Sequence, residues 1–167
     1  MKNDAMKPRG LLFGVLLAFG LLAQTALAAD DNLKVLTDMF AWWNGAYASR
    51  SGFTREEFAR YYSPDAVIYM NGQQRAKGLT DITRHFQDMR RDAEKVIVWL
   101  PFEEGFVSGD HVFTYHLITA QSEGRLSCWH VMGYAVIKGG KISTLNFVSV
   151  SEAAPAPGHA SACPSTK

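Results

Sequence analysis

The chain is expected to fold as an α+β domain, and three observations carry that expectation. Up to about Met89 its apolar residues recur mainly at three- and four-residue spacing, the period of a helix face. From Lys95 onward β-branched and aromatic residues gather in runs separated by glycine turns, the pattern of antiparallel strands. Helices first and strands afterwards, with no internal repeat and no second domain, describe helices packed on one sheet.

The first residues stand apart from that domain. Lys2, Lys7 and Arg9 precede an apolar run from Leu11 to Ala23, and Ala26-Leu27-Ala28 supplies the small-x-small pattern at which a secretory signal peptide is cleaved. A membrane-spanning helix needs about 20 apolar residues. This run is broken by Gln24 and Thr25, so no stable membrane insertion is expected after cleavage. No cysteine follows the cleavage site to take a lipid, and a start at Met6 would give a cleaner positive segment than one holding Asp4. Residues 1–28 are thus read as a signal peptide, 29–152 as a single domain and 153–167 as a disordered tail rich in Ala, Pro and Ser. The expected location is periplasmic or secreted.

Without residues 1–28 the chain keeps fourteen basic and fifteen acidic residues, with no extended run of either sign. Nucleic acid and anionic membrane are therefore not expected partners. Two cysteines enter an oxidising compartment, Cys128 in an expected strand and Cys163 in the tail. They either form a bridge that ties the tail to the domain or remain a buried and a free thiol.

Within the domain, a first helix is expected from a cap at Asp30 to Asn32 as far as about Ala48. Leu33, Leu36, Phe40, Trp43 and Tyr47 share one face, and Val35, Met39, Trp42 and Ala46 widen it until most of the helix must be buried. Thr54 and Glu57 form a capping box with Phe53 and Phe58 as the staple across it, and Ser63-Pro64-Asp65 ends that second helix. A strand from Ala66 to Met70 meets an Asn71-Gly72 turn, and Thr80 is the N-cap of a third helix carrying Ile82, Phe86 and Met89. Pro101 breaks the run from Lys95 to Val107 and sends its middle to an edge or bulge. Val112 to Ala120 follows, and then Arg125 to Ile137 pairs with Ile142 to Val150 around Lys138-Gly139-Gly140-Lys141.

The succession from Phe53 to Phe86, continued by these strands, resembles the nuclear-transport-factor-2-like, or SnoaL-like, superfamily, which includes ketosteroid isomerases, scytalone dehydratases and polyketide cyclases. The resemblance spans Leu33 to Val150 and implies a cone-shaped barrel of curved antiparallel sheet covered by three N-terminal helices, with a pocket inside. It does not carry over a steroid-isomerase mechanism. The general-base aspartate of those enzymes follows a tyrosine of the second helix by eight positions, which from Tyr62 lands on Met70. Their protonated acid lands on Met132 when counted back from Gly140-Lys141-Ile142, and the tyrosine of helix one falls on Trp42 or Trp43.

That register implies a parity. With Met132 inward, Cys128, His130 and Tyr134 are inward too. Trp129, Val131, Gly133, Ala135 and Ile137 then make an opposite face that is apolar throughout, which in this superfamily implies a homodimer. Phe113, Tyr115 and Leu117 resemble the pocket side of the preceding strand, whereas His116 is expected to face out. Leu145 and Phe147 complete the inner wall, and alternation from Met70 turns Tyr69 away.

A pocket lined by Met70, Phe113, Tyr115, Met132, Tyr134 and Phe147, with Trp43 and Tyr47 reaching it from helix one or packing in the core, suits a small apolar or aromatic molecule. No cofactor and no metal is expected. His85, His111, His116, His130 and His159 show neither HExxH nor paired-cysteine spacing, and no GxSxG elbow is present. Three functions remain: an exported small-molecule binder, the preferred reading; an acid–base lyase or isomerase in which His130 takes a proton and Tyr115 or Tyr69 stabilises an enolate; or a non-catalytic periplasmic interaction module. Intact mass of the exported protein should show an N-terminus at Ala29. A membrane-bound chain that keeps Met1 or Met6 would contradict the signal peptide.

Overall fold

A computed structural model describes the backbone of residues 14–151 and the side chains of residues 31–151. The side chains of the expected signal peptide, and the tail with Cys163, lie outside the described residues. Helix α1 (Gly14–Ser49) runs through Asp30 to Asn32 and is not capped there. Its expected face is in the core: Leu36, Met39, Phe40, Trp43 and Tyr47 are at most 5% exposed. Among the described residues no helix is long and apolar enough to cross a membrane.

The short helix α2 (Arg55–Phe58) starts as its sequence dictates. Thr54 Oγ1 accepts the Glu57 N–H at 3.3 Å, and the Phe53 and Phe58 rings meet at 5.5 Å. The Glu57 carboxylate pairs with Arg60 at 2.8 Å. Strand β1 (Tyr62–Met70) begins four residues before the expected Ala66, because Pro64 and Asp65 form an exposed irregularity inside it and not a break before it. Asn71 and Gly72, at φ 52° and 75°, turn the chain into β2 (Gln73–Lys77), as a two-residue hairpin loop requires. Helix α3 (Gly78–Asp92) starts at Gly78, without a side-chain cap, so Thr80 lies inside its first turn and is not the N-cap.

Pro101 separates β3 (Lys95–Val98) from β4 (Glu104–Ser108), and both pair with one edge of β5 (His111–Ser122). The long strands β6 (Arg125–Lys138) and β7 (Lys141–Ser151) complete a seven-stranded sheet of order β2-β1-β7-β6-β5-β3. β1 and β7 run parallel. The sheet is therefore mixed and open, where an antiparallel barrel was expected. The last strand returns beside the first in the same direction, and among the described residues nothing joins β2 to β3. On the free side of β3, the Asn44 amide of α1 donates to Val98 O at 2.7 Å and its carbonyl accepts the Val98 N–H at 3.0 Å.

The helices cover one face of the sheet, and alternation decides what they cover. Val112, Thr114 and His116 of β5, Val131 and Ala135 of β6, and Leu145 and Phe147 of β7 are all buried. Met132, by contrast, is 61% exposed. The expected parity of β6 is thus reversed: Cys128, His130, Met132 and Tyr134 share the face away from the helices, whereas Val131 and Ala135 are core and cannot form a dimer face. The cause is the count across the Lys138-to-Lys141 turn, since a slip of one residue exchanges the two faces of a strand.

Gly133 is needed on the core face. A Cβ there would sit 2.3 Å from Phe147 Cδ1 and 2.6 Å from the Asn146 carbonyl oxygen. Backbone on one side and a packed ring on the other leave little room to relax. Gly133→Ala should destabilise the fold by about 1–3 kcal/mol, read as a lower denaturation midpoint in urea. An unchanged midpoint would contradict this packing.

Candidate functional site

Pairing of β4, β5, β6 and β7 stacks the outward residues in two neighbouring rows. Glu104, Tyr115, Met132 and Val148 form one, and Phe106, Phe113, Tyr134 and Asn146 the other. Together with Thr114 and Gly133 beneath them they line a groove of about 480 Å3. Phe106 lies parallel to Phe113 at 4.8 Å and 12°. Tyr115 lies parallel to His130 at 5.2 Å and 9°. Phe106 and Met132 are each 61% exposed and Val148 52%, so the groove presents apolar area directly to water.

At the end of the first row, His130 Nε2 stands 3.5 Å from Glu103 Oε1. Protonation of the imidazole makes this an ion pair, and in the neutral form the carboxylate orients the ring. Such an arrangement can stack a flat molecule, hold it by a few polar anchors, and offer a histidine–carboxylate pair beside a tyrosine.

The expected site residues divide between the two faces of the sheet. Phe113, Tyr115, Met132 and Tyr134 come together as expected, with His130 next to them, but in the outer groove and not inside the cone. Tyr69 continues the second row one strand beyond Asn146, on β1. Trp43, Tyr47, Met70 and Phe147 lie on the helix side. There Trp43 and Tyr47 pack against each other, at 5.0 Å between ring centroids, and the Tyr47 hydroxyl donates to backbone carbonyls at Met89 or Ala93. Trp43 and Tyr47 are 3% and 2% exposed.

Sequence reasoning missed two groups. Glu103 follows an irregular stretch whose pairing could not be assigned. His116, expected outside, is 0% exposed. Phe102, Phe40 and Phe147 surround its ring at 5.3, 5.8 and 5.8 Å. Among the described residues neither imidazole nitrogen has a hydrogen-bond partner, and the same holds for Thr114 Oγ1 two residues before it and for the Trp43 indole N–H. The signal available was the small size of Val131, Gly133 and Ala135, which suits a strand face pressed against a helix.

A protein assigned as a SnoaL-like polyketide cyclase from Jannaschia sp. CCS1 matches with TM-score 0.60 at 13% identity, covering 72% of this chain and 86% of its own. An NTF2-like protein from Anabaena variabilis matches with TM-score 0.59 at 12% identity, covering 75% and 92%. An LEH-like epoxide hydrolase from M. tuberculosis matches with TM-score 0.58 at 12% identity, covering 74% and 85%. No family model and no curated protein sequence matches the chain. The fold is that of the nuclear-transport-factor-2-like, or SnoaL-like, superfamily. At these identities the likeness extends to the fold alone.

Burial holds the His116 pKa down to about 4. The unfolded chain takes up this proton near the ordinary histidine value of about 6.5, whereas the folded chain does not until about pH 4. The contribution is therefore fully present above about pH 6.5 and is lost as pH falls towards 4, by on the order of 3 kcal/mol. His116→Leu should flatten this acid slope in melting temperatures measured from pH 7.5 to 4. An unchanged slope would show that another group sets it.

Proposed function

We propose that this is an exported domain that binds a small, flat, largely apolar molecule in the outer groove without transforming it. The groove carries the reading: about 480 Å3 falls within the roughly 300–1,000 Å3 of small-molecule sites. Its walls are aromatic rings and a thioether. The phenols of Tyr115 and Tyr134, the Asn146 amide and Glu104 supply the few polar anchors such a site needs. Export is supported by the signal pattern and by the disulfide bond at Cys128, a bond that persists in oxidising compartments. A homodimer, also proposed, would use exposed Val148 and Val150 of this face in place of Val131 and Ala135.

An acid–base lyase or isomerase is the second reading, favoured by Glu103 at 3.5 Å from His130. In that reading His130 removes a proton and Tyr115 donates to the enolate oxygen.

Native mass spectrometry of the protein from its own host should show a bound small molecule. Met132→Glu, at an exposed position, should release it at an unchanged melting temperature. His130→Ala separates the readings. A binder loses about five- to hundredfold in affinity; an enzyme loses turnover by about a hundredfold or more. A wild-type protein that carries nothing, or a bound mass indifferent to Met132→Glu, would overturn the groove as the site.

A further inference from the structure

The outer groove carries charge of one sign. Among the described residues that line it, Glu104 alone is charged, and no lysine, arginine or histidine stands with it. Its neighbour Glu103 is engaged with His130 at 3.5 Å, whereas no ion pair among the described residues involves Glu104. A carboxylate without a cation at the wall of an apolar cleft sets up a negative potential, and walls of low dielectric concentrate it.

The rings beside Glu104 add to that potential. Tyr115 is its partner in the pairing of β4 with β5. His130, reaching over from β6, covers one face of the Tyr115 ring at 5.2 Å and 9°, so the other face of the phenol turns towards β4 and Glu104. Two residues along β4, on the same side of the sheet, Phe106 stacks on Phe113 at 4.8 Å and makes a side wall. The face of an aromatic ring is electronegative and attracts a cation that comes within about 6 Å of its centre. A carboxylate, a phenol face and a wall of rings together provide what an organic cation needs on leaving water, namely opposite charge and apolar surface for its carbon substituents.

We propose that the ligand of this groove carries a positive charge, as an ammonium or quaternary ammonium group seated against Glu104 and Tyr115, with its flat apolar body lying along Met132, Tyr134 and Val148. The inference rests on the binding function proposed above and adds the chemical class of what is bound. An anionic molecule of the same shape would meet Glu104 with like charge. A neutral one would take water from the carboxylate and return nothing for it. A metal ion is a poor occupant, because among the described residues no three His, Cys, Asp or Glu side chains are grouped to hold one. The polarizable thioether of Met132 suits the body of an organic cation.

Two probes of one shape test this. In para-hydroxyphenyl-trimethylammonium and para-tert-butylphenol the same ring bears three methyl groups, joined through a charged nitrogen in the first and a neutral carbon in the second. Isothermal titration calorimetry of the full chain gives the ratio of their affinities. The wild type should bind the cation about tenfold more tightly, the combined effect of a ring face and a partly exposed carboxylate. Glu104→Gln keeps the shape of an exposed side chain and should lower that ratio about three- to fivefold, and Tyr115→Leu should lower it by about as much. Melting temperatures certify that each variant is folded, and Glu104→Gln keeps the test intact should Tyr115→Leu be unstable. Equal affinities in the wild type, or tighter binding of the neutral probe, would overturn the cationic ligand and leave the groove as a site for neutral molecules. A ratio that survives both substitutions would overturn the seat at Glu104 and Tyr115. Binding of neither probe would overturn the inference as well, and native mass spectrometry with Met132→Glu then decides separately whether the groove binds anything.

Discussion

Twelve consecutive residue pairs hold β5 to β6, from His111 opposite Val136 to Ser122 opposite Arg125, and the organisation of the domain depends on that ladder. Alternation along two long strands in fixed register leaves no freedom about which side chains share a face. Once Val131 and Ala135 lie under α1, then His116 must join them and Met132 must not. The core, the groove and the histidine–carboxylate pair are all set by one parity, and none can be moved without the others.

The helix side shows how far apolar packing can dominate a polar group. Ring after ring fills the space between α1 and the sheet, from Phe53 and Phe86 at one end to Phe40, Phe102 and Phe147 at the other. Into that second cluster β5 inserts an imidazole with no hydrogen-bond partner among the described residues. A buried polar group in that condition lowers stability. It is tolerated because the ring is neutral there and its flat faces pack as an aromatic side chain would. On the opposite side of the same strand, aromatic rings are only half covered. The sheet therefore separates an apolar interior holding an isolated polar group from an apolar surface edged by charge.

Local chemistry was legible in the sequence wherever one short segment determined it. Thr54 with Phe53 and Phe58, the Asn71-Gly72 turn, the Gly139-Gly140 hairpin and the buried face of α1 all follow from side chains within a few positions of one another. The grouping of Phe113, Tyr115, Met132 and Tyr134 was legible too, because strand period alone puts them together. Which side of the sheet they occupy was not, since both faces of β6 are rich in apolar residues and hydropathy cannot choose between them. The parallel pairing of β1 with β7 joins residues about eighty positions apart, Ile68 with Leu145 for example, and no local pattern encodes it. Glu103 came to His130 through a pairing of β4 that Pro101 obscured.

The Asn44 side chain gives the open sheet one more property. In the pairing with β5, Val98 directs its N–H and carbonyl away from its neighbour, towards the free side of the strand, and the Asn44 amide meets both. A primary amide presents the same donor and acceptor as a peptide group, so at this position the helix imitates one residue of a missing strand. An unprotected edge is a template on which another chain can add itself and begin an aggregate. By occupying the edge with a group that has no continuation, the domain keeps its sheet open in architecture yet closed to growth at that point. That protection would help an unclosed sheet to persist without recruiting further strands.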